Sequence, residues 1–189
     1  MRFVQAAMTP IRFKDIYYAL IQHINKRGLD EFKDAINSYL GANSSYTFTS
    51  FVRAIYACLE SLKRVDKRKE IILPRYCCPD FTRSVLAVQL KIKYCDINPI
   101  TLSLDTGFLR EMNFENVLAL ICVNHFGFAN PMDEIMDLCK RNDIYLIEDL
   151  GYALGTEFKN QKLGTFGDFA VHNIIIRIHH HQNLKFCRR

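Results

Sequence analysis

At 189 residues, 49% apolar and 24% charged, the chain has an ordinary globular make-up and enough length for one two- or three-layer core. No run is long and apolar enough to span a bilayer, and the opening MRFVQAAMTPIRFKDIYYAL is broken by Pro10 and several charges; neither a membrane span nor a secretory leader is expected, and the expected location is cytoplasmic. The net charge of +5 gathers at residues 63–69 and at the C-terminus without interleaved aromatics, which reads as solvated surface and gives no expectation of a nucleic-acid partner.

In chain order, Phe13, Ile16, Tyr17, Leu20 and Ile24 keep helical spacing, with Gly28 as a stop. A second helix is predicted over residues 30–40, closed by Gly41. Residues 42–49 are polar and read as a loop. Ser50 then stands as N-cap of a helix carrying Val52, Ile55, Tyr56 and Leu59 on one face. From there strands and helices alternate. Strands are predicted at 70–74 and at 91–96, the latter with Ile92 and Tyr94 on one face, with a helix at 80–89 between them. Residues 98–105 read as a loop, and the near-continuous apolar run 117–124 reads as a strand covered on both faces. A helix over 130–142 presents Met132, Ile135, Met136 and Cys139; strands follow at 144–148 and 169–171, separated by a small-residue turn and a short polar hairpin. The alternation predicts an α/β fold, a three-layer α/β/α sandwich around a largely parallel sheet.

From His172 onward the sequence HNIIIRIHHHQNLKFCRR changes character, with no stop signal and no usable periodicity. His179, His180 and His181 are consecutive, so they cannot all point one way, and no preformed metal site is expected. The domain reading is therefore residues 1–172 as one unit and 173–189 as an atypical tail, frameshifted or disordered. The seven cysteines are odd in number, lack CxxC spacing and several lie in apolar runs, so they are expected to be reduced and mostly in the core.

The block 144–171, IYLIEDLGYALGTEFKNQKLGTFGDFAV, is the most informative. An apolar strand ends in Glu148 and Asp149, and a carboxylate at the C-terminal end of a buried strand lies where open α/β sheets bind ligands. Other segments fall in a matching order: Thr49-Ser50-Phe51-Val52 opening a helix, Leu73-Pro74-Arg75-Tyr76-Cys77-Cys78-Pro79 after a strand, Val123-Asn124-His125-Phe126-Gly127 at a strand end, then Pro131-Met132-Asp133 and Gly167-Asp168. Together, over about residues 10–172, they resemble the DegT/DnrJ/EryC1/StrS family of pyridoxal-phosphate (PLP) sugar aminotransferases.

The resemblance implies the incomplete large domain of a fold-type-I PLP aminotransferase. It implies Asp149 on the pyridine nitrogen, the turn Ser50-Phe51-Val52 and Asn173 near the phosphate, Cys78 at the ring-stacking position with Tyr76 as a substitute, and Tyr152 near the ring oxygen. His125 is not expected to be the base. Phe51 replaces a family glycine and is expected to place bulk at the phosphate corner. The family lysine that forms the Schiff base falls at Ile178, and no lysine stands between Lys162 and Lys185, so no catalytic residue is assigned and no covalent attachment is expected. The implied partners are a nucleotide-linked keto-sugar, an amino-acid donor and a second copy of the chain. The functional expectation is a sugar aminotransferase that is inactive as this fragment; the alternative is a non-catalytic α/β remnant binding PLP, a nucleotide-sugar or a partner. A truncated sheet is further expected to leave strands 117–123 and 144–147 partly uncovered or beside an open edge.

Overall fold

The computed structural model describes residues 28–172 throughout, residues 13, 14, 16, 17, 20 and 21 before them, and the backbone of residues 176–178. Phe13, Ile16, Tyr17 and Leu20 are helical, as their spacing predicts, with their side chains exposed. Helix α1 (Gly28–Leu40) leads to a short strand β1 (Ser44–Tyr46). The pattern β/α then repeats: α2 (Phe51–Val65), β2 (Glu70–Pro74), α3 (Pro79–Ala87), β3 (Lys91–Cys95), α4 (Thr106–Arg110), β4 (Val117–Val123). A 3-10 turn (His125–Gly127), α5 (Met132–Arg141) and β5 (Tyr145–Asp149) follow. The polar hairpin is β6 (Glu157–Phe158) with β7 (Gln161–Lys162), and β8 (Phe169–Val171) and β9 (Ile176–Ile178) complete the described elements.

Seven strands form one sheet in the order β1-β9-β8-β5-β4-β2-β3. The pairs β3/β2, β2/β4, β4/β5 and β5/β8 are parallel, while β9 runs antiparallel to both β8 and β1. One core lies between the sheet and helices α2 and α3, built on Ile55, Leu59, Leu62, Phe81, Val85, Ile71, Ile121 and Ile147. The other joins the opposite face to α4 and α5 through Leu109, Met132, Ile135, Leu120, Leu146 and Leu150. This is the expected three-layer arrangement.

Every residue of β4 is buried, and Ile144, Leu146 and Ile147 are buried as well. The expectation of uncovered central strands is overturned. Helices pack on both faces, and β4 and β5 sit in the middle of the sheet, where hydrogen-bonded neighbours leave them no edge. The edges fall instead to three-residue β1 and to β3, which carries Lys91 and Lys93, a charged side chain being an ordinary guard of an edge strand. Three elements escaped the sequence reading: β1 inside the polar stretch 42–49, the one-turn helix α4, and β9. The two strands have no self-contained signature. Strands β1 and β9 bond each other from opposite ends of the described chain, with Ser44 opposite Ile178, so tertiary pairing creates both. Tail residues other than 176–178, including Asn173 and the histidine run, lie outside the described residues, apart from His172.

Residue 148 locks the sheet to the loop that precedes β8. Its carboxylate is fully buried and accepts three backbone N–H groups: Gly164 at 2.7 Å on Oε2, and Phe166 at 2.8 Å and Gly167 at 2.7 Å on Oε1. Asp168 completes the lock by accepting from Leu146 N at 2.8 Å. Gly167 has no space for a side chain, since a Cβ there would lie 2.7 Å from the Leu146 carbonyl oxygen. Replacing Glu148 with Gln would turn an amide NH₂ toward a donor and remove the charge from the remaining bonds. We expect Glu148→Gln to destabilise the fold by about 2–4 kcal/mol, measured by urea unfolding. A loss below about 0.5 kcal/mol, typical of an exposed surface site, would show that the loop holds without it.

Candidate functional site

Chain order reverses between β2 and β4: the connection after β2 passes to β3 on one side, and the chain returns past β2 to form β4 on the other. In open parallel sheets such a switch point opens a crevice at the carboxyl ends of the strands. Here those ends bring together the turn 75–78 after β2, residues 124–127 after β4, Asp149 at the end of β5, and His172 after β8. Strand alternation divides the adjacent carboxylates. Glu148 faces the α4/α5 side, with Leu146 and Leu150, and Asp149 faces the α2/α3 side, with Ile147.

Asp149 is 8% exposed, and its Oδ1 accepts a hydrogen bond from Gly151 N at 2.9 Å. Among the described residues no Lys, Arg or His forms an ion pair with it. Burial pushes its carboxyl up to about 6, with the Gly151 N–H pulling weakly the other way. A carboxylate held in this way is a half-satisfied acceptor, suited to a cationic or N–H-bearing ligand. Cys77 lies close enough to be affected: burial first, then Cys78 and Asp149, push its thiol up to about 11.

Ser50 caps α2 as predicted, its Oγ accepting from Arg53 N at 3.3 Å. The first-turn N–H groups of Phe51 and Val52 have no acceptor within the helix, as at any helix start. Phe51 corrects one expectation. Its ring is partly buried against the core and packs edge-on to Phe81, with centroids 5.2 Å apart at 85°. The ring's bulk is taken up between helices rather than left free at the corner.

The aromatic positions divide differently from the sequence reading. Cys78 is exposed and is the N-cap of α3, without a side-chain cap bond. Tyr76 lies against His125, ring centroids 5.2 Å apart. Tyr152 is 75% exposed and stacks on Phe126 at 6.4 Å and 30°, so its side chain reaches outward. Phe126 holds φ 54° and ψ 21°, a left-handed backbone that costs a non-glycine residue about 1–2 kcal/mol, while its ring is exposed. Buried Asn124 accepts from Asn130 N and Nδ2, both at 3.0 Å, and its own Nδ2 has no partner. His125 is buried with Nε2 unpartnered, and burial lowers its pKa against an opposing contribution from the Tyr76 backbone. Sequence reasoning did not single out Phe126 or the two orphaned nitrogens. A positive φ outside glycine leaves no compositional mark.

Of the predicted site residues, Ser50–Val52 open α2, Cys78 precedes α3 and Asp149 ends β5, Tyr152 is exposed, and Asn173 lies outside the described residues. Backbone register puts Ile178 in β9, opposite Phe169 and Ser44. The unpaired buried carboxylate and the open helix start fit a ligand with a cationic ring nitrogen and a phosphate, as PLP has. The described cysteines are free, with Cys58, Cys95, Cys122 and Cys139 buried. No helix among the described residues is long and apolar enough to cross a membrane.

Residues 22–173 match the DegT/DnrJ/EryC1/StrS aminotransferase family. The chain is 26% identical over 151 residues to UDP-4-amino-4,6-dideoxy-N-acetyl-beta-L-altrosamine transaminase of Campylobacter jejuni, covering 76% of this chain and 38% of that protein. It is 34% identical over 104 residues to GDP-4-keto-6-deoxy-D-mannose 3-dehydratase of Escherichia coli, covering 55% of this chain and 27% of that protein. A solved structure of the E. coli dehydratase, with bound hydrated PLP, superposes with TM-score 0.81 at 21% identity, over 95% of this chain and 51% of that one. The chain thus spans about half of that solved structure and less of the curated relatives. On the strength of its matched residues, fold and order of site segments, the chain belongs to the DegT/DnrJ/EryC1/StrS aminotransferase family.

Proposed function

We propose that residues 1–172 are the N-terminal part of the large domain of a PLP-dependent sugar aminotransferase, with 173–189 an atypical tail that contributes β9 to the sheet, and that this polypeptide binds the cofactor without covalent attachment. The observation that carries the reading is Asp149, a buried carboxylate at the switch-point edge with no cation beside it. When bound, PLP supplies a protonated pyridine ring that acts as an electron sink. Asp149 accepts the pyridine N–H and keeps that nitrogen protonated, while the cation returns the carboxyl to its charged form. Ser50, Phe51 and Val52 offer the phosphate the open N–H groups of α2, and the family resemblance assigns Asn173, outside the described residues, to the same phosphate. Cys78 and Tyr76 cover the ring from the β2–α3 turn, and Tyr152 lies at the rim near the ring oxygen. Ile178 at the family lysine position leaves no amine to hold the cofactor or to move a proton, so turnover is not expected.

The substrates of the parent reaction are a nucleotide-linked keto-sugar and an amino-acid donor, on the model of the transaminase and dehydratase relatives. A second copy of the chain completes the site, and the free cysteines support a reducing, cytoplasmic setting. The rival reading is a non-catalytic α/β remnant that binds PLP, a nucleotide-sugar or a partner, and where the ligand is not PLP it has no use for Asp149.

Three measurements follow. PLP added to the purified chain should bind reversibly by absorbance titration, and Asp149→Ala should weaken it by about 1.5–3 kcal/mol, the worth of a hydrogen bond to a charged group. Borohydride treatment followed by mass spectrometry should find no stoichiometric pyridoxyl-lysine; one lysine modified in high yield would overturn the non-covalent reading. Equal affinity of parent and variant would leave Asp149 a purely structural role.

The third measurement concerns pH in the absence of cofactor. Asp149 titrates near 3.8 when unfolded and near 6 when folded, so the folded state binds more protons between these values. Stability therefore falls as pH rises through that window and is level above it. A shift of roughly two units corresponds to about 3 kcal/mol. Asp149→Asn, which keeps an oxygen for Gly151 N, should raise stability by about 2–3 kcal/mol near neutral pH, with the gain gone near pH 4. Denaturant melts at both pH values check this, and a gain independent of pH would contradict the buried-charge account.

A further inference from the structure

Two free cysteines, Cys77 and Cys78, stand side by side in the turn between β2 and α3. The turn is a bend rather than a strand, so the alternation that separates neighbours in β5 does not apply to them. Cys77 is half-buried and packs against the core between the sheet and α2/α3. Cys78 is exposed and, as N-cap of α3, makes no side-chain cap bond, so its sulfur is open to solvent. The two thiols are close in space as well as in sequence. Burial first, then the charge of Cys78 and that of Asp149, push the Cys77 thiol up to about 11, so Cys77 has both groups as neighbours.

The turn that carries the pair is pinned. Arg75 N donates to Cys95 O at 2.8 Å, Phe81 N donates to Cys78 O at 3.1 Å, and Tyr76 rests on His125 with ring centroids 5.2 Å apart. The other described cysteines differ. Cys58, Cys95, Cys122 and Cys139 are buried, and burial pushes each thiol up, which makes them inert. Attack by a dissolved oxidant is thereby directed to Cys78, with one thiol within reach behind it. Neighbouring Cα atoms lie about 3.8 Å apart, closer than the roughly 4.4–6.8 Å of ordinary disulfides. A bond between adjacent cysteines therefore closes under strain and is reopened readily by small thiols, which suits a switch and not a structural staple.

We propose that Cys77 and Cys78 are a reversible oxidative modification site, which a hydroperoxide closes to a vicinal disulfide. The Cys78 sulfur attacks one oxygen of hydrogen peroxide, the O–O bond breaks, and the other oxygen leaves with the thiol proton as water, giving a sulfenic acid. The Cys77 sulfur then displaces the sulfenic hydroxyl, which leaves with the Cys77 proton as a second water. Two thiols and one peroxide thus become one disulfide and two waters. Closure draws the Cys77 sulfur from its place beside Asp149 and Cys78 from the ring it covers, so the oxidised pocket holds PLP more weakly. Only this consequence rests on the cofactor reading above; the disulfide does not.

Both cysteines fall in one tryptic peptide, Tyr76–Arg83, which makes the test direct. The folded full chain is treated with hydrogen peroxide, blocked with N-ethylmaleimide, digested without reductant and weighed by mass spectrometry. The peptide should be unblocked and two hydrogens lighter, and dithiothreitol before blocking should return two blocked thiols. In Cys77→Ser the lighter peptide should vanish and Cys78 should stop at the sulfenic acid, trapped by dimedone. In Cys78→Ser, Cys77 should stay unoxidised, and thermal melts check that both variants fold. Cys78 remaining fully blockable after peroxide, oxidation of the parent ending at the sulfinic acid, or a bridge from Cys78 to any other cysteine overturns the proposal. Absorbance titration then reads the pocket. The oxidised chain should bind PLP about two- to tenfold more weakly than the reduced chain, the worth of a sulfur–ring contact, and reduction should restore it. Equal PLP affinity in the two forms overturns the link to the pocket. No PLP binding by the reduced chain sinks the cofactor reading and leaves the disulfide standing.

Discussion

Two neighbouring carboxylates at the end of β5 organise this protein, and they are treated in opposite ways. Strand alternation sends Glu148 and Asp149 to opposite faces of the sheet, and both are buried. Glu148 is satisfied by three main-chain donors and has become part of the framework. Asp149 has a single donor and retains its desolvation cost. The framework is what lets that cost persist. With the loop 164–167 fixed to one side of β5, and β4 and β8 hydrogen-bonded on either flank, Asp149 cannot turn outward without disturbing the centre of the sheet. A stable fold thus supports one unstable charge, a division common in sites that await a ligand.

The same face carries the rest of the candidate machinery. The start of α2 and the turn after β2 lie on the side of Asp149, while the α4/α5 side is closed by aliphatic packing around Leu120, Leu146 and Ile135. Sidedness follows from the switch point: β2 sends its helix to one face and β4 sends its helix to the other, which opens the edge between them. Family membership agrees with this layout, and the half-length coverage of the solved relative falls on the part of the fold that contains the parallel sheet.

Much of this was legible in the sequence because the parallel strands are simple objects. The runs 70–74, 117–123 and 169–171 are apolar on both faces and are bounded by polar turns, so their limits could be read almost to the residue. The Ser50 cap was legible for a similarly local reason. Strands β1 and β9 were not, because a three-residue strand in a polar segment exists only through a partner more than a hundred residues away. At the site, Asp149 could be found from its place after an apolar strand. The roles of Phe51 and Tyr152 could not, because side-chain direction depends on neighbours: Phe81 draws one ring inward, and Phe126 draws the other out. The backbone of Phe126 was the least legible feature, since a bulky residue in a left-handed turn runs against its own preference.

The Glu148 lock also constrains how the chain can assemble as it emerges from the ribosome. When β5 has just been made, its partner β4 is already available, and the two could pair at once. On emergence the Glu148 carboxylate would then be drawn into an apolar layer while its donors at 164, 166 and 167 were still inside the ribosome. Burying that charge unpaired costs several kcal/mol, more than an early strand pair returns. Docking of β5 is therefore expected to wait until residues 164–167 have also emerged, so that β5, the 163–168 loop and β8 enter the sheet together. Until that moment the apolar edge of β4 is open, and this interval is the one in which a nascent chain of this fold is most exposed to chaperones and to its own neighbours.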